Sequence, residues 1–275
     1  YLDREGYEKI QRENIEIFEE RLKHFDKNFQ QKFIKVKNMY SNILDRTETL
    51  GRDMTRKGSI NRETATGLVN ELSSSITDQS NDEVIFHCIN EIREADSYLY
   101  THSINVATLN GLMGVWLGLD DTQNKKLIKI GLMHDMGKLR VPQSILNKPG
   151  KLTEREFEIV KKHPVNSYNM LVEIGESDKE VLEAVKLHHE RETGSGYPYG
   201  LLSGQIPLYA KITAISDVYD AMVSKRCYKD PVSPFEILHI LSVNKFSDLD
   251  YKLVSLFLEV IPMLLIRKPV ILSDG

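Results

Sequence analysis

The sequence predicts an all-α protein, and three observations carry that expectation. Apolar and aromatic residues recur in steps of three and four at Phe18, Leu22, Phe25, Phe29, Phe33, Val36, Tyr40 and Ile43, the repeat of one face of an amphipathic helix. The segment "LYAKITAISDVYDAMVSK" lacks strand alternation and sets Ile212, Ile215, Tyr219 and Met222 at helical spacing. "LTEREFEIVKKH" follows the breaker "NKPGK" and offers Thr153 and Glu156 as a capping box. A helix is therefore expected from about Glu154, with His163 near its end and Pro164 beyond it.

Taken in order, the first helix carries an aromatic rather than a Leu/Ile stripe, which favours packing inside a small helical domain over a parallel coiled coil; a homodimer through these helices is the alternative. "GRDMTRKGSINRE" (51–63) is expected to be a loop leading into a second helix through Leu68, Leu72 and Ile76, and the polar, turn-rich "SSSITDQSND" (73–82) marks a boundary. Residues 1–80 are thus expected to form an N-terminal helical domain with a sensory or dimerising role, and 81–275 a second domain, helical almost throughout. "YKLVSLFLEVIPMLLI" (251–266) carries Lys252, Glu259 and Pro262 and falls short of the roughly 18 apolar residues of a span, so it reads as a buried core helix and no membrane span is expected. Only "PVILS" reads as strand, a minor C-terminal one. The chain starts at Tyr1 without a methionine, as expected of a piece of a longer protein.

Among 275 residues, 41% are hydrophobic and the formal net charge is -4. That is enough apolar material for a real core, and the charge excludes a general binder of nucleic-acid polymers, which needs an excess of Lys and Arg against phosphate. A small anionic ligand held by a few local cations remains compatible. Cys88 and Cys227 stand far apart in no metal-like spacing, which excludes a disulfide scaffold and points to a cytoplasmic location with inert thiols.

Histidine use is uneven. Of eight histidines, five are His102, His134, His163, His188 and His189, each near a helix or a helix end, and His134 is followed at once by Asp135. His24, His87 and His239 read as ordinary core or surface residues. An HD doublet, a later HHE and an isolated Asp217 in an apolar helix resist that account together, because several desolvated imidazoles and carboxylates would each need a partner. Mixed imidazole and carboxylate donors suit Fe, Mn, Zn, Co or Ni rather than Mg or Ca. Lys138 lies one helical turn beyond His134 and can face the same way, as a cation or a proton source.

The strings "YLYTHSINVA", "LMHDMGKLRVPQSILNKPGKLT", "KKHP", "HHERETGSGYPYGL", "IP" and "AISDVYDAMVSKRCYK" occur in that order. In them the chain resembles the HD-GYP family of cyclic di-GMP phosphodiesterases, over about residues 90–272. The resemblance implies an HD-type helical catalytic domain with two divalent metal ions, Fe or Mn first, with Zn, Co or Ni also suited. The ligands it implies are His102, His134, Asp135 and Asp217 on one metal, and a bridging Asp135 with His163, His188 and His189 on the other. Seven side chains with one bridge make four bonds per metal, which leaves about two octahedral places each for a bridging hydroxide and phosphate oxygens. Asp135 and Lys138 are the implied catalytic residues; Lys138, Arg226 and Lys229 are the implied substrate contacts. Glu190 is expected to hold an imidazole N–H.

"GSGYPYG" has Gly194, Gly196 and Gly200 for positive φ and Pro198 to stiffen the turn. As the family's GYP element it implies an active-site wall or a protein-partner surface, with Tyr197 in the site or in the core. Thr193 stands where the family usually has Asp, Cys227 where Pro is usual, and Tyr98 where some members carry Glu. A phenol is a poor ligand at neutral pH, so two metals are expected rather than three. The implied activity is hydrolysis of cyclic di-GMP to linear pGpG or onward to GMP. The alternatives are another cyclic dinucleotide such as 3′,3′-cyclic GMP-AMP, or a non-catalytic binding module.

Overall fold

The computed structural model describes residues 27–58, 61–77, 82–91, 98–223, 236, 239–240 and 248–265. Among them it is helical, with one isolated bridge between Thr193 and Leu202 and no sheet. Phe18, Leu22, Phe25 and the "PVILS" segment lie outside the described residues.

Helix α1 spans Lys27–Lys57. It therefore continues through much of the stretch expected to be a loop, because Leu50 and Met54 prolong the buried stripe begun by Phe29 and Phe33. Gly58, at φ +64°, ends it, since only glycine adopts that conformation without strain. Helix α2 spans Arg62–Thr77 and takes in the first half of the polar run read as a boundary. Two of that run's hydroxyls turn back on the helix, Ser74 Oγ onto Asn70 O and Thr77 Oγ1 onto Ser73 O, so polar composition does not break it.

Helices α3 (Asp82–Glu91), α4 (Tyr98–Trp116) and α5 (Asp121–Met133) follow, and a 3-10 turn, Met136–Arg140, leads to the short α6 (Gln143–Leu146). Helix α7 (Glu154–Val160) starts at the expected capping box: Thr153 Oγ1 accepts from Glu156 N, and the Glu156 carboxylate accepts from Thr153 N at 2.7 Å. It stops earlier than expected. His163 opens a separate helix, α8 (His163–Glu173), with Pro164 in its first turn, where the missing N–H costs nothing. Helices α9 (Lys179–Leu187), α10 (Leu208–Val223) and α11 (Tyr251–Leu265) complete the described chain.

One buried apolar cluster runs from Phe29 to Ile261 and contains α1 and α2 as well as the later helices. Tyr40 of α1 donates to Thr108 Oγ1 of α4 at 2.5 Å, and Arg62 at the start of α2 donates from Nε to Ile174 O past the end of α8 at 3.0 Å. Cys88 is buried in this core and Cys227 lies outside the described residues. No helix among the described residues is long and apolar enough to cross a membrane.

Candidate metal centre

Five elements bring seven residues together. Helix α4 carries His102, His134 caps the end of α5 with Asp135 next, α8 opens with His163, His188 caps the end of α9 with His189 next, and α10 carries Asp217. Donor atoms of His102, His134 and Asp217 lie within 4.8 Å of one another, as do those of His163, His188 and His189. A third set, His134, Asp135 and His188, sits at the junction of the two.

Helix ends fix the rings. The Nδ1 atoms of His134, His163 and His188 lie 2.7 Å from the carbonyls of Gly131, Val160 and Val185, each three residues back. A carbonyl only accepts, so Nδ1 carries the proton and the neutral ring's lone pair sits on Nε2. Among the described residues, all three Nε2 atoms are buried without a hydrogen-bond partner. His102 is held differently: its Nδ1 is 2.7 Å from Asp220 Oδ2, while Asp220 Oδ1 accepts from Asn105 Nδ2 at 2.8 Å. Its Nε2 faces Asp217 Oδ1 at 3.1 Å and Asp135 Oδ2 at 3.5 Å.

Asp135 stands between the two groups. Its Oδ1 is 3.1 Å from His163 Nε2, and its Oδ2 is 3.4 Å from His134 Nε2 and 2.5 Å from Lys138 Nζ. Lys138 belongs to the 3-10 turn rather than to a continuation of α5, and its ammonium therefore meets Asp135 instead of stacking above His134. Ser167 of α8 fastens this turn, accepting from Gly137 N at 2.7 Å and donating to His134 O at 2.6 Å. A Cβ at Gly137 would collide with His163 O, so the HD turn and α8 approach closely enough to share Asp135.

Charge follows from these contacts. Burial works against ionising Asp135 and Asp217, yet Lys138 beside the first and His102 beside the second hold both carboxyls well below the usual range. Burial and neighbouring imidazoles push His188 and His189 well below the ordinary histidine value, and burial lowers His163. His102 goes the other way: burial opposes its charge, but hydrogen bonds to Asp217 and Asp220 raise it to about 9. Ionised carboxylates beside neutral imidazole lone pairs with nothing to bind are a donor set that fits divalent cations.

After His189 the chain folds back on itself. Glu190, expected on an imidazole, accepts instead from Tyr199 N at 2.7 Å and Leu201 N at 2.9 Å. The reason is local, since the imidazoles at 134, 163 and 188 already use helix-end carbonyls, whereas the loop's amides need an acceptor. Gly194 and Gly200 adopt positive φ as expected; Gly196 does not, and is required because a Cβ would lie 2.5 Å from Arg191 N, Glu190 Cα and His189 O. Tyr197 stacks on His189, and burial together with the charges of Asp217 and Asp135 pushes its phenol up, so it stays neutral.

Arg226, Lys229, Asp96 and the side chain of Tyr98 lie outside the described residues. His87 sits in the core with its ring edge-on to Phe29, and His239 is exposed. Asp220, Asn105 and Ser167 were missed. Asp220 had a signal, as an acid one turn after Asp217 in the same apolar helix; Asn105 and Ser167 are common polar residues with none.

The family model described as HD domain matches residues 87–253. The cyclic di-GMP phosphodiesterase PA4108 of Pseudomonas aeruginosa is 39% identical over 178 residues, 65% of this chain and 42% of that protein. The 3'3'-cGAMP-specific phosphodiesterase 1 of Vibrio cholerae is 39% identical over 153 residues, 55% of this chain and 35% of that protein. The chain thus spans well under half the length of these relatives. The solved structure of Bd1817, an HDG"Y"P protein from Bdellovibrio bacteriovorus, matches with a TM-score of 0.69 at 15% identity, over 94% of this chain and 80% of that one, which speaks for the fold. A domain model that covers more than half of the sequence means that this chain belongs to the HD domain family, and the HD doublet, the HHE and the GYP loop in which it resembles the HD-GYP branch all fall within the matched residues.

Proposed function

We propose that the chain is a metal-dependent phosphodiesterase that hydrolyses cyclic di-GMP to pGpG or onward to GMP. One observation supports this most: two triads of buried donor atoms that meet at Asp135. In this reading His102, His134 and Asp217 hold one divalent cation and His163, His188 and His189 the other, with Asp135 between them, Fe or Mn being preferred. Such a pair, when bound, supplies Lewis acidity toward phosphoryl oxygens and a nucleophile at neutral pH. Lys138, already directed at Asp135, neutralises charge on a phosphoryl oxygen or hands a proton to the leaving alkoxide. Arg226 and Lys229 bind the dinucleotide phosphates, Arg226 in a bidentate grip and Lys229 as a point charge.

Residues 1–80 serve as a cytoplasmic input or dimerising unit, a reading supported by the packing of α1 and α2 against α4 and by Ile34, which is 52% exposed on α1. The GYP loop offers exposed Tyr199 and Leu202 to a protein partner. A second substrate reading is the hybrid 3′,3′-cyclic GMP-AMP, favoured by the equal identity of the relative named for it. Metal analysis of anaerobically purified protein, followed by timed chromatography on both dinucleotides, tests the proposal. Turnover of cyclic di-GMP by protein with two bound ions is expected; ions without turnover of either dinucleotide would leave only a binding module.

A further inference from the structure

We propose that Tyr197 is a positioning residue for His189, so that the GYP loop acts as a clamp on the metal centre. The inference rests on the binuclear reading above and concerns residues that reading leaves without a role.

His189 is the odd ligand. The Nδ1 atoms of His102, His134, His163 and His188 each lie 2.7 Å from an acceptor, whereas His189 Nδ1 has Asp217 Oδ2 at 3.8 Å, too far for a hydrogen bond. No helix-end carbonyl holds its ring, and the neighbouring His188 ring meets it only obliquely, at 4.2 Å and 43°. The Tyr197 ring lies against its face instead, with centroids 4.6 Å apart and planes 25° from parallel, and His163 meets it edge-on at 4.9 Å. Phe157 of α7 in turn sets its edge to Tyr197, at 6.5 Å and 79°.

A stacking ring orients a ligand only if its own backbone is fixed, and here it is. Tyr197 N donates to His189 O at 3.1 Å, and the buried Glu190 carboxylate takes the two amides that follow the GYP triplet, those of Tyr199 and Leu201. Gly196 lets this loop lie flat on the backbone of residues 189–191. Ligand orientation by surrounding groups typically governs roughly 10- to 100-fold in metal affinity, and at His189 the stacking face takes the part that a hydrogen bond takes elsewhere.

The test is a stepwise Mn2+ titration of the full chain, with bound metal counted and the EPR spectrum recorded. Wild type is expected to bind two ions and give an exchange-coupled spectrum. Tyr197→Phe keeps the ring and should match it, while Tyr197→Leu should bind the second ion at least about tenfold more weakly and give a mononuclear spectrum at low Mn2+. Glu190→Gln, which loosens the loop and leaves the ring, should fall between them, and this variant decides the matter if Tyr197→Leu does not fold. An unchanged second ion in both Tyr197→Leu and Glu190→Gln would overturn the clamp. So would a loss in Tyr197→Phe equal to that in Tyr197→Leu, which would make the hydroxyl the active group. Wild type that binds fewer than two ions would instead overturn the binuclear reading, and the clamp with it.

Discussion

Asp135 concentrates more of the centre than any other single residue, because its two oxygens face different histidine groups and Lys138 besides. Asp135→Ala should lose both metals and all turnover while the far-UV helical spectrum survives; two tightly bound ions in that variant would contradict the bridging role. Asp220 acts one bond further out, through His102 Nδ1. Asp220→Asn should weaken the ion shared by His102, His134 and Asp217 by roughly tenfold and spare the other, as read by metal titration. Arg226 and Lys229 are cations, which repel metal and attract phosphate. Replacing either with Ala should leave metal content unchanged and lower kcat/KM about 10-fold or more, the loss of a charge-assisted contact of about 1.5 to 3 kcal/mol.

At the scale of elements, most of what the sequence displayed was periodicity and caps, and most of what it concealed was where one helix hands over to the next. The capping box at Thr153 was legible because two side chains at fixed spacing make it. The end of α7 was not: nothing in "VKKHP" distinguishes a proline that terminates a helix from one that sits in the first turn of its successor. Likewise "GRDMTRK" looks like a loop by composition, and only the burial of Leu50 and Met54 carries α1 through it. The cluster of candidate ligands was legible because histidine is rare and its clustering has few causes, whereas Asp220 became identifiable only when α4 and α10 met. Thr153→Ala should cost about 1 kcal/mol of stability. Glu156 in the same box is lowered to about 2, first by Lys148 and then by Thr153. Its contribution is therefore complete above its ordinary value and fades as pH falls toward 2. The difference in Tm between Glu156→Gln and the parent should shrink over that interval.

For the whole molecule, the proposed ligand set draws on five separate elements, so metal occupancy and global stability should form a single equilibrium. Stripping the ions with a chelator should lower Tm by several degrees, since a site filled at about 100 times its Kd adds about 2.7 kcal/mol. Differential scanning calorimetry with and without added Mn2+ reads this directly, and equal Tm values would mean that the cluster holds no ion. The carbonyls that hold His134, His163 and His188 belong to the last turns of α5, α7 and α9, so three helices aim their negative ends at one small volume, against the single positive end of α8, which opens at His163. Each of the three carries about half a negative charge. The centre is thus a well for cations and a barrier to anions while it stands empty, which dictates an order of assembly. A dinucleotide carrying two phosphates should give no binding heat with the stripped protein, and should bind only after the ions have reversed the sign of the field it meets.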